Sequence, residues 1–142
     1  MDIHQITPDF AVAPQISPAD MAMLAEAGFV TVINNRPDME NPPDLQSDAM
    51  RTAAEAAGLT YVDNPVVNGG LTMDMVNAQG AAVAASPGPV FAWCRTGTRS
   101  SFVWALSQAG KLPSAEITTL LNTAGYDIPG LATQIDALAG KG

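Results

Sequence analysis

Twice in the first half of the chain, a segment with the apolar periodicity of a helix leads into a short apolar strand. The first helix has Ser17 and Pro18 at its start, residues favoured at the cap and first position of a helix, and it stops at Gly28 before "FVTVIN". The second is rich in alanine, ends at Gly58 and leads into "LTYVDNPV". This alternation predicts a parallel or mixed sheet that is covered by helices.

A third repetition of the same pattern extends the prediction. Thr72 or Asp74 opens a helix, "SPGP" ends it, and Val90–Trp93 is a nearly all-apolar strand. A strand pair is expected near "FAVAPQ", and three further helices are expected at about residues 100–109, 114–124 and 129–139. The sequence therefore predicts an α/β protein, a three-layer sandwich with a mostly parallel central sheet, as a single domain over residues 1–142.

Charge and composition exclude several classes of function. The chain has 14 acidic and 6 basic side chains, a net charge of -8, which disfavours nucleic acid and anionic membranes as partners. No apolar run reaches the roughly 18 residues of a membrane span, and the N-terminus has no secretory signal, so we expect a cytoplasmic protein. A lone cysteine forms no internal disulfide and no metal cluster, and no cofactor or metal is expected. The oligomeric state is not specified by the sequence.

The single cysteine lies where an α/β sheet binds ligands. Cys94 follows the apolar strand Val90–Trp93 directly and precedes a predicted helix. Ligands of such sheets collect beyond the carboxyl ends of the strands, where the next helix presents its N-terminus. We therefore expect the candidate functional site at Cys94.

The residues after the cysteine fit an anion-binding loop, which we predict to consist of Arg95, Thr96, Gly97 and Thr98. Gly97 permits a positive φ, so that backbone N–H groups can point at one anion. Arg99 has a planar guanidinium that can bind two oxygens of an oxyanion, and Ser100 can donate a hydroxyl to a leaving thiolate. A thiolate at Cys94 would face these donors and be reactive.

The pattern Cys-x-x-Gly-x-Arg-Ser resembles the active-site loops of cysteine-dependent phosphatases and of rhodanese sulfurtransferases. Together with "NNRPD" and "YVDNPVVNGGLT", the segment "WCRTGTRS" resembles the beta-lactamase-hydrolase-like phosphatase family (DUF442), over residues 3–112. The resemblance implies a protein tyrosine phosphatase-like fold, and sulfur transfer is also assigned to that family. It further implies Cys94 as nucleophile, Arg99 as oxyanion clamp, and Ser100 as helper of the leaving thiolate.

Three departures from the tyrosine phosphatase pattern bear on the activity. Four residues separate Cys94 from Arg99 where those enzymes have five, a spacing that many rhodaneses share, and Trp93 replaces the usual histidine. The loop expected to carry the general acid reads Val-Asn-Gly-Gly. Asp63 is the nearest alternative acid, although strand alternation can also turn it away from the loop.

Two enzymatic functions and one non-enzymatic function follow from this loop. The first is a cysteine-dependent phosphatase-like hydrolase that attacks an aryl phosphate ester through a phosphocysteine, acting on a small oxyanion or phosphate-ester substrate. The alternative is a rhodanese-type sulfurtransferase with a persulfide on Cys94, chemistry that needs no general acid. The third is an anion-binding or redox-sensing module, which is disfavoured because no second cysteine is available to resolve a sulfenic acid.

Overall fold

A computed structural model of the chain describes residues 1–140. Its centre is a five-stranded sheet with the order β1-β2-β5-β3-β4. β1 pairs antiparallel with β2, and the other neighbours are parallel. The strands are β1 (His4–Thr7), β2 (Phe10–Ala13), β3 (Thr31–Asn34), β4 (Thr60–Asp63) and β5 (Val90–Trp93).

Six helices cover the two faces of the sheet, and they are α1 (Asp20–Glu26), α2 (Ser47–Ala56), α3 (Met73–Ala85), α4 (Thr98–Ser107), α5 (Ser114–Ala124) and α6 (Leu131–Ala139). Short 3-10 turns at Asp38–Glu40 and Pro43–Leu45 connect β3 to α2. The apolar side chains of α1 and α2 pack on one face of the sheet, and those of α3 to α6 pack on the other. The predicted three-layer α/β sandwich is confirmed.

Strand β5 shows why the sheet must be covered on both sides. Phe91 and Trp93 pack toward α1 and α2, whereas Val90 and Ala92 pack toward α3 to α6. All four are at most 1% exposed. A strand buried on both faces reads as a continuous apolar run, which is how this segment stands out in the sequence.

The helix boundaries differ locally from the predicted ones. α1 begins at Asp20 instead of near Ser17, because a turn with i+3 hydrogen bonds comes first: the N–H groups of Asp20 and Met21 donate to the carbonyls of Ser17 and Pro18. The Asp20 carboxylate accepts hydrogen bonds from the backbone N–H and the hydroxyl of Ser17, as in a capping box. Of the two residues predicted to open α3, Thr72 and Asp74, the cap is Thr72, since its hydroxyl accepts a hydrogen bond from the N–H of Met75. β4 stops at Asp63, before the proline of "NPV".

The strand register determines which residues meet at the carboxyl edge of the sheet. Asn34 of β3 lies opposite Trp93 of β5 on one side and opposite Asp63 of β4 on the other. The residues that follow these strands, including Cys94, therefore emerge side by side. Within residues 1–140, no helix is both long enough and apolar enough to span a bilayer.

Candidate active site

Cys94 lies at the base of the loop that joins β5 to α4. Its backbone N–H donates to the carbonyl of Ala13 at 3.4 Å, which continues the pairing of β5 with β2. The side chain has no exposed surface. Its Sγ accepts a hydrogen bond from the N–H of Gly97 at 3.1 Å. The sulfur thus faces a backbone donor at the start of a helix, where negative charge is stabilised.

The bend of this loop depends on Gly97, the residue immediately before α4. Gly97 has φ 93°, in the left-handed region, which costs other residues free energy but not glycine. Its carbonyl accepts hydrogen bonds from both the N–H and the hydroxyl of Ser101, at 3.0 and 2.9 Å. The loop is therefore fixed to the first turn of α4.

Arg99 projects from that first turn and is held by two acceptors. Its Nη1 donates to Glu40 Oε2 at 2.8 Å and to the carbonyl of Val66 at 2.7 Å, and its Nη2 donates to Glu40 Oε1 at 2.7 Å. The hydrogen bonds that Arg99 donates to the Glu40 carboxylate raise the pKa of Arg99, with smaller contributions from the Cys94 side chain. In return, Arg99 and then Arg36 lower the pKa of Glu40, so its carboxylate is charged at neutral pH.

Arg36 contacts Glu40 from the other side. Its Nε donates to Glu40 Oε1 at 3.2 Å, and its Nη2 donates to the Glu40 carbonyl at 3.0 Å. Nη1 of Arg36 reaches the side-chain oxygen of Gln15 at 3.2 Å, while the N–H of Gln15 donates to the carbonyl of Arg95 at 3.3 Å. These bonds connect the turn after β3 to the cysteine loop.

Ser100 belongs to a buried network of side-chain amides. Its hydroxyl donates to Asn35 Oδ1 at 2.8 Å, and no hydrogen bond within residues 1–140 joins it to Cys94. Asn35 and Gln79 of α3 exchange two hydrogen bonds, at 2.9 and 3.1 Å, and the amide of Asn64 also donates to Gln79, at 2.9 Å. The network links α3, β3, β4 and α4 beneath the loop.

Asp63 stands apart from this arrangement. Strand alternation places it on the face covered by α1 and α2, where its carboxylate accepts hydrogen bonds from Ser47 Oγ at 2.7 Å and the Tyr61 hydroxyl at 3.4 Å. In the described part of the chain, no hydrogen bond connects Asp63 with Arg99 or Cys94. The carboxylate that does contact Arg99 is that of Glu40.

The outer part of the loop consists of exposed residues and one contact from the C-terminal region. Arg95, Thr96 and Thr98 are exposed, and the hydroxyl of Thr96 donates to that of Thr98 at 3.1 Å. The Tyr126 hydroxyl donates to the carbonyl of Thr96 at 3.2 Å. Burial, followed by the charge of Cys94, raises the pKa of Tyr126 to about 12, so the phenol keeps its proton.

Three contributors to the site were missed by the sequence analysis. Glu40 lies in the "RPDME" run, where a charged residue in a turn carries no distinguishing signal. Gln79 was an unremarked polar residue within an Ala-rich helix, although a glutamine on its apolar face was a usable sign of a buried network. Tyr126 follows Gly125 in a turn, and its distance from Cys94 along the chain concealed the contact.

Two cavities of about 360 Å³ each lie beside the segment 66–71 and share Val67. The first is bounded by Arg99, Phe102 and Gln134, and the second by Met39 and other residues of the turn after β3. No group of three His, Cys, Asp or Glu side chains suited to a metal ion occurs among the residues that the structure describes.

A loop between the last parallel strand and a helix, with Cys94 and Arg99 at its two ends, is the arrangement of the protein tyrosine phosphatase-like fold. The comparison with solved structures agrees. PTPMT1 in complex with PI(5)P superposes with a TM-score of 0.78 at 12% identity, covering 99% of this chain and 96% of that chain, a likeness of fold alone.

The chain belongs to the beta-lactamase hydrolase-like family, whose phosphatase-like domain matches residues 2–111. A beta-lactamase hydrolase-like protein of Xylella fastidiosa is 31% identical over 141 residues, which is 98% of this chain and 33% of that relative. A candidate phosphatase from Neisseria meningitidis is 28% identical with a TM-score of 0.83, covering 97% of this chain and 99% of that one. The chain spans about a third of the length of the curated relatives it matches.

Proposed function

We propose that this domain is a cysteine-dependent phosphatase that acts on aryl phosphate monoesters. The observation that carries the proposal is the placement of Cys94 Sγ at the N-terminus of α4, with the Gly97 N–H on the sulfur and Arg99 projecting from the same turn. The thiolate attacks phosphorus while the bond to the ester oxygen breaks, and the phenolate leaves with that electron pair. Water then hydrolyses the phosphocysteine and releases phosphate and the thiolate.

The restriction to aryl esters follows from the acids available near the site. Glu40 is held ionised by two arginines, and the Asp63 carboxylate is bound to hydroxyl groups on the other face of the sheet. Without a protonated acid at the ester oxygen, the leaving group must depart as an anion, which a phenolate does far more easily than an alkoxide. We expect the rate to fall steeply as the pKa of the leaving phenol rises.

Ser100 is proposed to assist the second step. Its proton now points to Asn35, and rotation of the hydroxyl would bring that proton toward the sulfur when the phosphocysteine breaks. A hydrogen bond to the departing thiolate lowers the barrier to hydrolysis. Ser100→Ala should therefore slow turnover more than the first chemical step, so that a burst of phenolate precedes the steady state.

The test uses p-nitrophenyl phosphate with the purified protein, and Cys94→Ser as the blank. Turnover that Cys94→Ser abolishes supports the proposal. Turnover that survives in Cys94→Ser, or no turnover of any aryl phosphate by the folded wild type, contradicts it. Because Cys94 has no exposed surface, the residues that cover it must move when the phosphoryl group enters, so we also expect slow alkylation of the resting protein by iodoacetamide.

Sulfur transfer is the second candidate, and the length of the loop favours it. Four residues between Cys94 and Arg99 make a narrower cradle than five, better suited to a persulfide than to a phosphate. The thiolate would take the outer sulfur of thiosulfate, sulfite would leave with the electron pair of the broken S–S bond, and cyanide would accept the sulfur as thiocyanate. Turnover of thiosulfate plus cyanide, without turnover of p-nitrophenyl phosphate, would replace the first proposal with this one.

Loop length separates the two candidates further. Insertion of one residue between Gly97 and Arg99 should shift activity toward phosphate esters, and no shift would contradict the argument from cradle size. The cytoplasmic location and the small oxyanion or phosphate-ester substrate stay predictions from the sequence.

A further inference from the structure

The guanidinium of Arg99 uses only part of its hydrogen-bonding capacity. An arginine side chain has five N–H donors in one plane. Both hydrogens of Nη1 are occupied, by Glu40 Oε2 and by the carbonyl of Val66, and one hydrogen of Nη2 is occupied by Glu40 Oε1. The donors without a hydrogen bond within residues 1–140 are the second hydrogen of Nη2 and that of Nε, which lie side by side on one edge. That edge can bind two oxygens of one anion.

Several contacts indicate that Glu40 is a rigid partner in this pair. Its side chain is 24% exposed, and Arg36 binds both its carboxylate and its backbone carbonyl. Two positive charges and one negative charge leave this cluster with a single net positive charge. The carboxylate therefore fixes the orientation of Arg99 without cancelling the attraction of the cluster for an anion.

The free edge of the Arg99 guanidinium belongs to the same turn that holds the sulfur of Cys94. Cys94 Sγ is hydrogen-bonded to the N–H of Gly97, the residue immediately before α4, and Arg99 projects from the first turn of that helix. With the end of the guanidinium on Glu40 and Nη1 also on Val66, the edge formed by Nε and Nη2 is the one left for an oxyanion held by the same loop. An oxyanion on that edge would lie next to the nucleophile.

We propose that Glu40 is a positioning residue, which binds the end of the Arg99 guanidinium so that its free edge receives the oxyanion beside Cys94. The inference rests on the proposed function of the site, and it adds a residue that the cysteine loop does not contain. It opposes a second interpretation of the same ion pair, in which Glu40 competes with the oxyanion for Arg99. The two interpretations differ in sign, because removal of a competing carboxylate would strengthen anion binding.

The first test measures how well inorganic phosphate protects Cys94 from iodoacetamide. In Glu40→Gln the cluster gains a positive charge, yet we expect the half-protecting phosphate concentration to rise at least about fivefold, because the amide cannot hold both nitrogens of Arg99. Glu55→Gln makes the same change on the exposed side of α2 and should leave protection unchanged. A lower or unaltered phosphate requirement in Glu40→Gln overturns the proposal, as does a wild type that phosphate does not protect.

The second test uses p-nitrophenyl phosphate. We expect Glu40→Gln to lower kcat/KM by about tenfold or more, at a melting temperature close to that of Glu55→Gln. Arg36→Gln, which releases Glu40 from its other partner, should give a smaller loss in the same direction. If Glu40→Gln does not fold, the phosphate protection and kcat/KM of Arg36→Gln decide, and wild-type values in that variant overturn the proposal.

The two proposals can fail separately. Phosphate protection that depends on Glu40, in a wild type without phosphatase turnover, supports the positioning role and contradicts the proposed reaction. Phosphatase turnover that Glu40→Gln leaves intact supports the reaction and contradicts the positioning role.

Discussion

The phenol of Tyr126 occupies the space that a side chain on Gly97 would need. A Cβ atom built on Gly97 collides with the Tyr126 hydroxyl and lies 2.8 Å from Cζ of the ring. The same hydroxyl donates to the carbonyl of Thr96. Gly97 is therefore required for two separate reasons, its left-handed backbone and the packing of a tyrosine from the C-terminal region.

Gly97→Ala should be much more harmful than the same change at another left-handed glycine. Gly58 has φ 84°, and a Cβ atom placed on it would meet nothing within 4 Å, so Gly58→Ala carries the backbone strain alone, about 1 kcal/mol. Gly97→Ala adds the collision with Tyr126, and we expect a loss of about 2–4 kcal/mol in the free energy of unfolding. Urea unfolding of the two variants measures the difference, and equal losses would contradict a role for Tyr126.

Tyr126→Phe tests the hydrogen bond to the loop. Loss of the hydroxyl leaves the Thr96 carbonyl without this donor, which should lower the free energy of unfolding by about 1 kcal/mol. Because the proposed anion site is in this loop, we also expect weaker protection of Cys94 by phosphate. Tyr61→Phe is the comparison, since its hydroxyl bonds with Ser47 and Asn34 on the other face of the sheet. That variant should lose stability and keep wild-type protection, and equal effects on protection would contradict the prediction.

Gln79→Met removes the central amide of the buried network and keeps a side chain of similar volume. Asn35 and Asn64, which are at most 6% exposed, then lose partners, and an unpaired buried polar group is costly. We expect a loss of about 2–4 kcal/mol, measured by urea unfolding. Asn77→Met, on the exposed side of α3, should change stability by no more than about 0.5 kcal/mol. A wild-type midpoint for Gln79→Met would show that the network contributes little to stability.

His4 should give the protein a pH-dependent stability. Its Nδ1 is 2.7 Å from the carbonyl of Ala124, and this hydrogen bond is the largest cause of a folded-state pKa above the ordinary 6.5. The native state thus binds the proton more tightly than the unfolded state. The stabilisation is complete below pH 6.5 and is lost as pH rises through the folded pKa.

Replacement of His4 by glutamine tests this linkage. We would measure urea unfolding from about pH 6 to about pH 9, a range that includes the titration of a histidine with a raised pKa. Over this range the free energy of unfolding should fall further in the wild type than in His4→Gln. Asp2→Asn, which removes the weaker carboxylate partner, should give an intermediate slope. Parallel pH profiles for the wild type and His4→Gln would contradict the prediction.

The sequence was most informative where one local cause decides the structure. Val90–Trp93 was predicted to the residue because burial on both faces leaves an unbroken apolar run. Thr72 was one of two residues predicted to open α3, the other being Asp74, and its hydroxyl bonds only three residues ahead. The start of α1 was placed about three residues early because Ser17 and Pro18 open a turn with i+3 hydrogen bonds, and the α-helix follows only from Asp20.

The site was less predictable because it is assembled from distant segments. The cysteine loop and Arg99 share one turn, and their spacing was visible in the sequence. The partner of Arg99 depends on the path of the 3-10 turn that carries Glu40, 59 residues earlier in the chain. Asp63 was the candidate general acid because it lies at the end of a strand. Side chains alternate between the two faces along β4, however, and Asp63 is on the face where it binds Ser47.

Tyr126 lies beyond residues 2–111, the part of the chain that matches the family's phosphatase-like domain. The contact between the Tyr126 hydroxyl and the cysteine loop thus comes from a region outside the domain match, although the alignment with the Xylella fastidiosa relative spans 98% of the chain. A truncated chain that stops at residue 111 would retain every signature residue and lose the ring that Gly97 accommodates. Exchanging the last two helices between relatives would therefore change the contacts of the cysteine loop while leaving the residues from Cys94 to Ser100 unaltered.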